Sequence, residues 1–310
     1  MAKLVTARST KLIDEKWTKE TTKQYKRGVL AFLDWCDENG ESAETADELD
    51  EVLNEFTVHC YDTGKSKSLA TCAFYGTLRY LMHLKSHSSF PFTHASLEGW
   101  TKKHPGRAWS PLTWELTVAI AFQFVKAGRM DFAVGVILAF DGLLRIGELV
   151  RLHTSDVNVS DTEDSVSLRL RTTKTGPEQF VMLRKPETRA LLRQWLKTRP
   201  SGALLGFSAR AYRRAFRAIC QGLGLDQSYV PHSCRHGGAT ELFNQTLDMN
   251  LVMVFGRWAA LSSARHYIQS GRALLIAKKI PKHVQDAARI LAKDLLKALA
   301  IAEAQSGGVA

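Results

Sequence analysis

One stretch of this 310-residue chain interrupts a helical pattern that runs through most of the sequence. In DSVSLRLRTTKTGPEQFVML, Val166, Leu168 and Leu170 alternate with polar residues, TKTG supplies a turn, and a second apolar segment follows. Alternation with a period of two residues around a short turn predicts a β-hairpin. Because the other patterned segments have apolar residues at helical spacing, the sequence predicts a mainly α fold with a small antiparallel β-sheet.

The first part of the chain predicts a small helical unit. Three segments within residues 10–90 repeat apolar residues every three or four positions. The first predicts a helix that ends at Gly40, and the third predicts a helix that begins after Ser66 or Ser68 and continues through Leu84. Since no alternating segment lies between them, we expect this unit to be all-helical.

The segment EGWTKKHPGRAWS, at residues 98–110, separates two domains. It contains Pro, Gly and basic residues without a clear period, which is typical of a linker. We therefore predict a helical first domain at residues 1–97 and a mixed second domain at residues 111–283. An amphipathic helix and a short tail, at residues 284–310, complete the chain.

The charge of the chain favours a polyanionic partner. Its 42 Lys and Arg against 31 Asp and Glu give a net charge of +11. Nucleic acid is the usual polyanion for such a protein, and the alternative is a basic protein that its charge keeps soluble. Residues Asp34 to Glu55 contain ten acidic residues and no Lys or Arg. We expect that stretch to be solvated and not to face DNA.

The composition gives no sign of a membrane segment or of secretion. The longest apolar stretch, FAVGVILAF, is far shorter than the roughly 20 residues that cross a bilayer. The first residues are polar and mixed in charge, unlike a secretory signal. Five scattered cysteines without a CxxC pair suggest neither a disulfide framework nor a zinc ribbon. We therefore expect an intracellular protein of the cytoplasm or nucleus.

Four short motifs in the second domain hold polar and aromatic residues that an apolar core does not require. They are GLLRIGELVRL, the TKTG turn of the hairpin, HSCRHGGAT and GRWAALSSARHYI. Taken singly, each has an ordinary explanation: an arginine paired with a nearby glutamate, a solvated turn lysine, a helix start, a buried aromatic residue. Taken together, the candidate residues are Arg145, Glu148, Lys174, His232, Arg235, Trp258 and Tyr267.

In this order and spacing the four motifs resemble the tyrosine recombinase, or phage integrase, family. The resemblance is specific in residues 140–270 and covers the rest of the chain in layout. It implies a SAM-like core-binding first domain, a catalytic second domain, and a C-shaped clamp around duplex DNA. Trp258 stands where many members have His, as in Cre-like recombinases. The HSxRxGGAT, GRW and YI elements look closest to recombinases of eukaryotic mobile elements and large viruses.

The resemblance gives each candidate residue a role. Tyr267 is the expected nucleophile, and Arg145 and Arg235 are expected to hold the attacked phosphate, since guanidinium groups bind phosphate oxygens in a bidentate fork. Lys174, or Lys185 in its place, is expected to protonate the leaving oxygen. The remaining expected roles are proton transfer or phosphate binding for His232, an indole N–H donor for Trp258, and support of the first arginine for Glu148. No metal and no cofactor are expected, because no acidic cluster suited to magnesium lies near these motifs.

A further set of basic residues is predicted to contact DNA outside the active site. In SARAYRRAFRAICQGLG the arginines recur at i, i+3, i+4 and i+7, on one face of a helix. A solvated charged face is the alternative. The predicted DNA-contact residues are Lys65, Lys67, Arg79, Lys102, Lys103, Arg107, Arg210, Arg213, Arg214 and Arg217.

The resemblance also implies an assembly and leaves two rival functions open. The expected partner is double-stranded DNA with inverted-repeat recombination sites, bound by a homotetramer. The C-terminal helix is expected to dock on a neighbouring protomer, with packing on its own domain as the alternative. The rivals are an enzyme that cuts and rejoins a single duplex, such as a type IB topoisomerase or a hairpin telomere resolvase, and a catalytically silent DNA-binding protein.

Overall fold

The computed structural model of the chain describes residues 16–81, 90–106, 109–160, 162–173, 176–277, 280–297 and 299–300. The chain divides into two compact units, Met1–Arg107 and Ala108–Ala310, each with its own apolar core.

The first unit is helical, as predicted. Its helices begin after polar caps: the side chains of Thr18, Thr45 and Ser66 each accept a backbone N–H of the first turn. The first helix ends at Gly40, which has a positive φ of 71°, so both the predicted end and the predicted Ser66 cap are confirmed. The described helices are α1 (Lys19–Asn39), α2 (Ala46–Asp62), α3 (Lys67–Tyr80) and α4 (Pro91–Lys103).

Aromatic rings fill the core of the first unit. Four phenylalanine rings are almost wholly buried, and Phe32 meets Phe56 edge-on, as Phe74 meets Phe90. Asp50 departs from the expectation that the acidic stretch is solvated. It is buried, and its carboxylate accepts the backbone N–H groups of the first turn of α4, at 2.8 and 2.9 Å. These two bonds satisfy N–H groups that the helix start leaves unpaired.

The predicted linker at residues 98–110 is wrong in its first half. Residues up to Lys103 belong to α4, which begins with Pro91 at its first turn and packs Leu97 and Trp100 against the core. The predicted linker begins at residue 98, in the middle of α4. The part of α4 that falls within it is too short to show a helical period. The described part of α3 ends at Tyr80, and the predicted continuation through Leu84 lies in residues 82–89, outside the described ranges.

The second unit contains helices around a small sheet. An almost fully buried helix, α6, lies at its centre and packs against α5 and α10. In the described ranges no helix is long and apolar enough to cross a membrane. The helices are α5 (Trp114–Lys126), α6 (Met130–Asp141), α7 (Ile146–Leu149), α8 (Pro186–Thr198), α9 (Ala209–Gly222), α10 (His232–Thr246), α11 (Met249–Gly256), α12 (Leu261–Arg265), α13 (Ser270–Ala277) and α14 (Lys282–Lys293).

The sheet contains the predicted hairpin and one further strand. Strands β2 (Val166–Thr173) and β3 (Gly176–Met182) pair antiparallel, with Leu168 opposite Val181, and the alternating apolar residues of β2 are buried. Strand β1 (Val157–Val159) pairs with the other edge of β2. The sequence did not predict β1, because a three-residue strand is too short to show a period of two.

The C-terminal helix packs on its own domain. Val284 and Ala288 of α14, with Ile280, Leu295 and Leu299 around it, are buried in the core of the second unit, where α14 packs against α5. In this structure the apolar side of α14 is covered within its own chain, which is the alternative that the sequence left open. Docking of α14 on a neighbouring protomer remains a prediction. Residues 301–310 lie outside the described ranges.

Two glycines bring α10 very close to the centre of the unit. A Cβ on Gly237 would overlap the backbone carbonyl of Leu112, and one on Gly238 would overlap that of Phe140. Helix α10 therefore lies directly against the backbone of α6 and of the segment before α5. This contact fixes the position of the helix that carries His232 and Arg235.

We expect Gly237→Ala to lower the free energy of unfolding by about 2–3 kcal/mol, because the added methyl group meets backbone that cannot move aside. Gly222→Ala, in the last turn of α9 with no atom within 4 Å of the added Cβ, is the matched control and should change stability little. Urea denaturation of both variants measures the difference. Equal stability of the two variants would contradict the close approach of α10.

Candidate active site

The phenol of Tyr267 lies beside the imidazole of His232. Tyr267 Oη is 3.0 Å from His232 Nε2, so the two groups are within hydrogen-bond distance. His232 is the first residue of α10, and Tyr267 follows the short helix α12. The backbone carbonyl of Tyr267 also accepts a hydrogen bond from Thr240 of α10, at 3.0 Å. Helix α10 therefore holds the tyrosine at both its side chain and its backbone.

Three other side chains surround the tyrosine ring. The ring of His236 is stacked on it with centroids 4.4 Å apart, and the ring of Trp258 lies at 4.6 Å. The guanidinium of Arg235 is 5.4 Å from the centroid of the tyrosine ring and 4.3 Å from that of Trp258. Cationic and aromatic groups attract at such distances. The expected nucleophile, the expected second arginine and Trp258 are thus in direct contact.

Both histidines beside the tyrosine are held neutral. Burial, and after it the charges of Arg235 and Arg145, lower the pKa of His232 to about 4. Burial and the neighbouring His232 lower the pKa of His236 to about 3. A neutral imidazole with a free ring nitrogen accepts a proton, whereas an imidazolium does not. His232 is therefore suited to take the proton of the Tyr267 hydroxyl near neutral pH.

The first arginine motif is built on a buried carboxylate. Glu148 accepts the backbone N–H of Arg145 at 2.8 Å and its Nη1 at 2.7 Å. Burial alone would raise the pKa of Glu148, but the positive charge of Arg257 and the bonds from Arg145 lower it below its ordinary value. The Arg145 side chain remains 22% exposed, so Glu148 orients a guanidinium that solvent can still reach. The predicted support of Arg145 by Glu148 is present in the structure.

A third arginine, which the sequence reasoning missed, completes this cluster. Arg257 Nη2 donates to Glu148 Oε2 at 2.9 Å and to the carbonyl of Leu143 at 3.2 Å. Its side chain is only 6% exposed, and its backbone has a positive φ of 57°. Such a φ is unfavourable for arginine, and the buried ion pair offsets that cost. In the sequence, Arg257 stands directly before Trp258 in GRW, and this position beside a predicted site residue was the available signal.

Arg235 is the most enclosed member of the site. It is wholly buried, and it donates to the carbonyls of Leu143 and Gly256. Burial, followed by the charges of Arg145 and Arg257, lowers its pKa to about 9. Arg235 is thus bonded to backbone carbonyls beside the rings of Trp258 and Tyr267, and its expected grip on a phosphate remains a prediction. Three guanidiniums against one carboxylate leave the cluster with an excess of positive charge, which favours an anionic ligand.

The structure does not test every predicted site residue. Lys174 lies outside the described residues, so its expected place at the hairpin tip remains a prediction. Its alternative, Lys185, is engaged elsewhere: Nζ is 3.1 Å from Glu241 and lies over the ring of Trp114. His236 is a second residue of the site that the sequence reasoning passed over, although it follows Arg235 directly in HSCRHGGAT.

The predicted DNA-contact residues divide into free and engaged side chains. Those on α9 are all exposed, opposite the buried Tyr212, Phe216 and Cys220, as predicted. In the first unit, Arg79 packs over Trp17 and donates to Thr22, and Lys103 lies over Tyr61. Lys65, between α2 and α3, lies within hydrogen-bond distance of His59, and Lys67, at the start of α3, donates to Thr101. Lys102 is exposed in the last turn of α4, and Arg107 falls outside the described residues.

The pairing of Glu148 with both Arg145 and Arg257 leads to a prediction about the free energy of unfolding. We expect Arg257→Met to cost about 3–5 kcal/mol, because it leaves a buried carboxylate with one cation fewer. Arg289→Met is the control: it removes an exposed pair with Asp286 and should cost less than about 1 kcal/mol. Arg257→Met combined with Glu148→Gln should cost less than the sum of the two single changes. Urea denaturation measures all four variants, and an additive double variant would contradict the pairing.

The neutral histidines predict a loss of stability in mild acid. His232 and His236 have an ordinary pKa of 6.5, which the fold lowers to about 4 and about 3. Between these values the unfolded chain binds protons that the folded chain does not, so the free energy of unfolding falls as the pH falls from about 6.5 towards 4. Each histidine contributes a slope of about 1.4 kcal/mol per pH unit. His236→Gln should remove about one such slope in denaturation curves measured across this range, and an unchanged slope would refute the assignment.

Comparison with known proteins agrees with the geometry. Residues 123–273 match the phage integrase family. No curated protein matches the sequence. The fold is similar to that of the Tn1549 transposon integrase in complex with transposon right end DNA, with 16% identity over 87% of this chain and 98% of that one and a TM-score of 0.60. It is also similar to a lambda integrase tetramer bound to a Holliday junction, with 15% identity over 84% and 74% and a TM-score of 0.58.

A third solved structure has the same fold. It is the XerH site-specific recombinase bound to palindromic difH substrate in a post-cleavage complex, with 17% identity over 86% of this chain and 79% of that one and a TM-score of 0.55. The matched residues 123–273 contain the tyrosine, both histidines and all three arginines of the site. The second unit therefore contains a domain that matches the phage integrase family.

Proposed function

We propose that this protein cleaves and rejoins DNA strands at specific sites through a covalent link between Tyr267 and a 3′-phosphate. The observation that carries the proposal is the 3.0 Å contact between Tyr267 Oη and the neutral His232, beside the cluster of Arg145, Arg235 and Arg257. A nucleophilic hydroxyl, a base that faces it and cations for a phosphate are the parts that this chemistry needs.

In the first step, Tyr267 Oη attacks the phosphorus and its proton passes to His232 Nε2. A tyrosine–phosphorus bond forms, the bond from phosphorus to the 5′-oxygen breaks, and that oxygen leaves as a hydroxyl after protonation, the role we assign to Lys174. The 5′-hydroxyl of another strand then attacks the phosphotyrosine and gives its proton to Lys174, while the tyrosine–phosphorus bond breaks and His232 returns its proton to the phenol. One phosphodiester is exchanged for another, so the reaction requires no external energy source.

Arg145 and Arg235 hold the non-bridging oxygens in this proposal. Arg145 is already oriented by Glu148 and partly exposed. Arg235 must exchange a backbone carbonyl partner for the phosphate. Removing one such preorganised donor from an enzyme site typically costs roughly 3–4 kcal/mol of barrier. In this proposal the indole N–H of Trp258 donates to the same phosphate.

We further propose that the active form is a tetramer on two DNA sites. The support is the similarity of fold to the lambda integrase tetramer on a Holliday junction. The excess of positive charge in the chain suits a DNA partner. Because α14 is packed on its own domain, contacts between protomers must use other surfaces or an exchanged form of that helix.

The decisive experiment traps the covalent intermediate. The protein is incubated with a library of nicked duplexes that have a randomised core, so that a cleaved strand loses a short end and cannot be rejoined. We expect the wild-type protein to form an adduct that resists denaturation, and mass spectrometry to place the nucleotide on Tyr267. Tyr267→Phe should bind the DNA and form no adduct, because it lacks the attacking oxygen.

Other outcomes of the same experiment separate the rival functions. An adduct with Tyr267→Phe would move the nucleophile to another residue. Binding without an adduct in the wild-type protein would favour a catalytically silent DNA-binding protein. Adducts at many unrelated sequences, with relaxation of supercoiled plasmid, would favour a topoisomerase. Sequencing of the trapped strands identifies the target site if the proposal is correct.

A further inference from the structure

A stripe of side chains on α10 faces the turn that carries Tyr267. At intervals of four residues the helix presents His232, His236 and Thr240, which therefore lie on one side of it. Tyr267 itself lies between α12 and α13, outside any regular helix. The position of the nucleophile therefore depends on its contacts with α10. The proposed chemistry uses His232 and gives no role to His236.

The ring of His236 lies against the face of the tyrosine ring. His236 is 1% exposed, and the two ring planes are 25° apart with their centroids at 4.4 Å. The ring of His232 meets that of His236 edge-on, with centroids 5.1 Å apart. A buried ring stacked on the phenol restricts the rotation of the Tyr267 side chain. It thereby keeps Tyr267 Oη at hydrogen-bond distance from His232 Nε2, the contact on which the proton transfer depends.

Hydrogen bonds engage both nitrogens of His236. Nδ1 is 3.3 Å from Nε2 of Gln269, and the same amide nitrogen donates to the carbonyl of His266 at 3.3 Å. Because an amide nitrogen only donates, Nδ1 accepts, and the proton of the neutral imidazole is on Nε2. The ring also donates to the backbone carbonyl of Tyr267, and Nε2 is the nitrogen that has a proton to donate. His236 therefore has no lone pair left for the phenol and does not act as a second base.

We propose that His236 is a positioning residue for the nucleophile: its ring holds the phenol of Tyr267, and its Nε2–H holds the backbone carbonyl of the same residue. The inference rests on the proposed function, since that function makes Tyr267 the attacking group. Thr240 donates to the same carbonyl at 3.0 Å and accepts the backbone N–H of Gln269 at 3.2 Å. His236 thus contacts Tyr267 at two points, between His232 at one end of the stripe and Thr240 at the other.

The test measures the rate of adduct formation at saturating nicked duplex, of the sequence that the trapping experiment selects. His236→Phe keeps a ring without hydrogen bonds, His236→Gln keeps a donor without a ring, and His236→Ala removes both. We expect His236→Ala to slow the reaction about 10- to 100-fold at unchanged DNA affinity, because a small misplacement of reacting groups costs factors of that size. The Phe and Gln variants should each be slowed less, since each keeps one contact. His266→Ala is the matched control and should react like the wild type, because His266 is exposed and its ring is 5.8 Å from that of Tyr267.

A pH profile separates positioning from proton transfer. Because neither nitrogen of His236 takes the proton of the phenol, His236→Phe should lower the rate by the same factor at every pH from neutral upward. A profile of changed shape would overturn the proposal, as would a His236→Ala variant as fast as the wild type or an equal loss in His266→Ala. Circular dichroism checks that each variant is folded, and if His236→Ala does not fold, His236→Phe against His266→Ala decides.

A second measurement uses the protein without DNA. NMR of the protein labelled at its histidine ring nitrogens, with the signals of His236 assigned by their loss in His236→Gln, should show a bare Nδ1 and a protonated Nε2 at neutral pH. The opposite tautomer would overturn the proposal. If the wild-type protein forms no adduct but the tautomer is as expected, the proposed chemistry fails while the contact of His236 with Tyr267 stands. If adducts form and His236→Ala reacts like the wild type, the positioning role alone fails.

Discussion

The site depends on one buried carboxylate. Glu148 receives Arg145 from its own turn and Arg257 from the end of α11, so a single side chain connects the segment after α6 to the segment before the nucleophile. A lone buried carboxylate is costly, and two guanidiniums with a backbone N–H compensate that cost. The same ion pairs stabilise the positive φ of Arg257, which in turn lets the chain proceed directly into Trp258. Electrostatics and backbone conformation are thus coupled at this point.

Arg235, the second arginine proposed to bind phosphate, is engaged by backbone groups in this structure. Arg235 donates to two carbonyls under the rings of Tyr267 and Trp258, and a buried guanidinium left without acceptors would be strongly unfavourable. A phosphate that enters the site must form stronger hydrogen bonds with Arg235 than those two carbonyls do. A dianionic transition state meets this condition better than a neutral ligand, because hydrogen bonds between charged groups are stronger than those to neutral carbonyls. Arg235 in its enclosed position therefore stabilises the dianionic transition state more than it would stabilise a neutral ligand.

The sequence predicted those parts of the molecule that follow from local rules. Periodicity located the hairpin and the exposed arginine face of α9, and capping residues located the end of α1 and the start of α3. It failed where long-range packing decides. Nothing local distinguishes Arg257 from a surface arginine, since its value comes from Glu148, more than a hundred residues away. The position of α14 also depends on long-range packing. An amphipathic helix by itself indicates only that some surface covers its apolar side, and in this structure that surface is the core of the second unit.

The neutral state of His232 links the burial of the site to the reversibility of the proposed reaction. If the imidazole were charged in the resting site, it would repel Arg145 and Arg235 and would have no lone pair for the phenol. Burial and those two cations keep it neutral, and once it takes the proton of Tyr267 the same surroundings disfavour the imidazolium. The proton is therefore held weakly and is readily returned to the phenol when a 5′-hydroxyl attacks. An exchange of strands needs cleavage and rejoining to be nearly equal in free energy, and a base with a lowered pKa serves both directions better than a strong base that retains the proton.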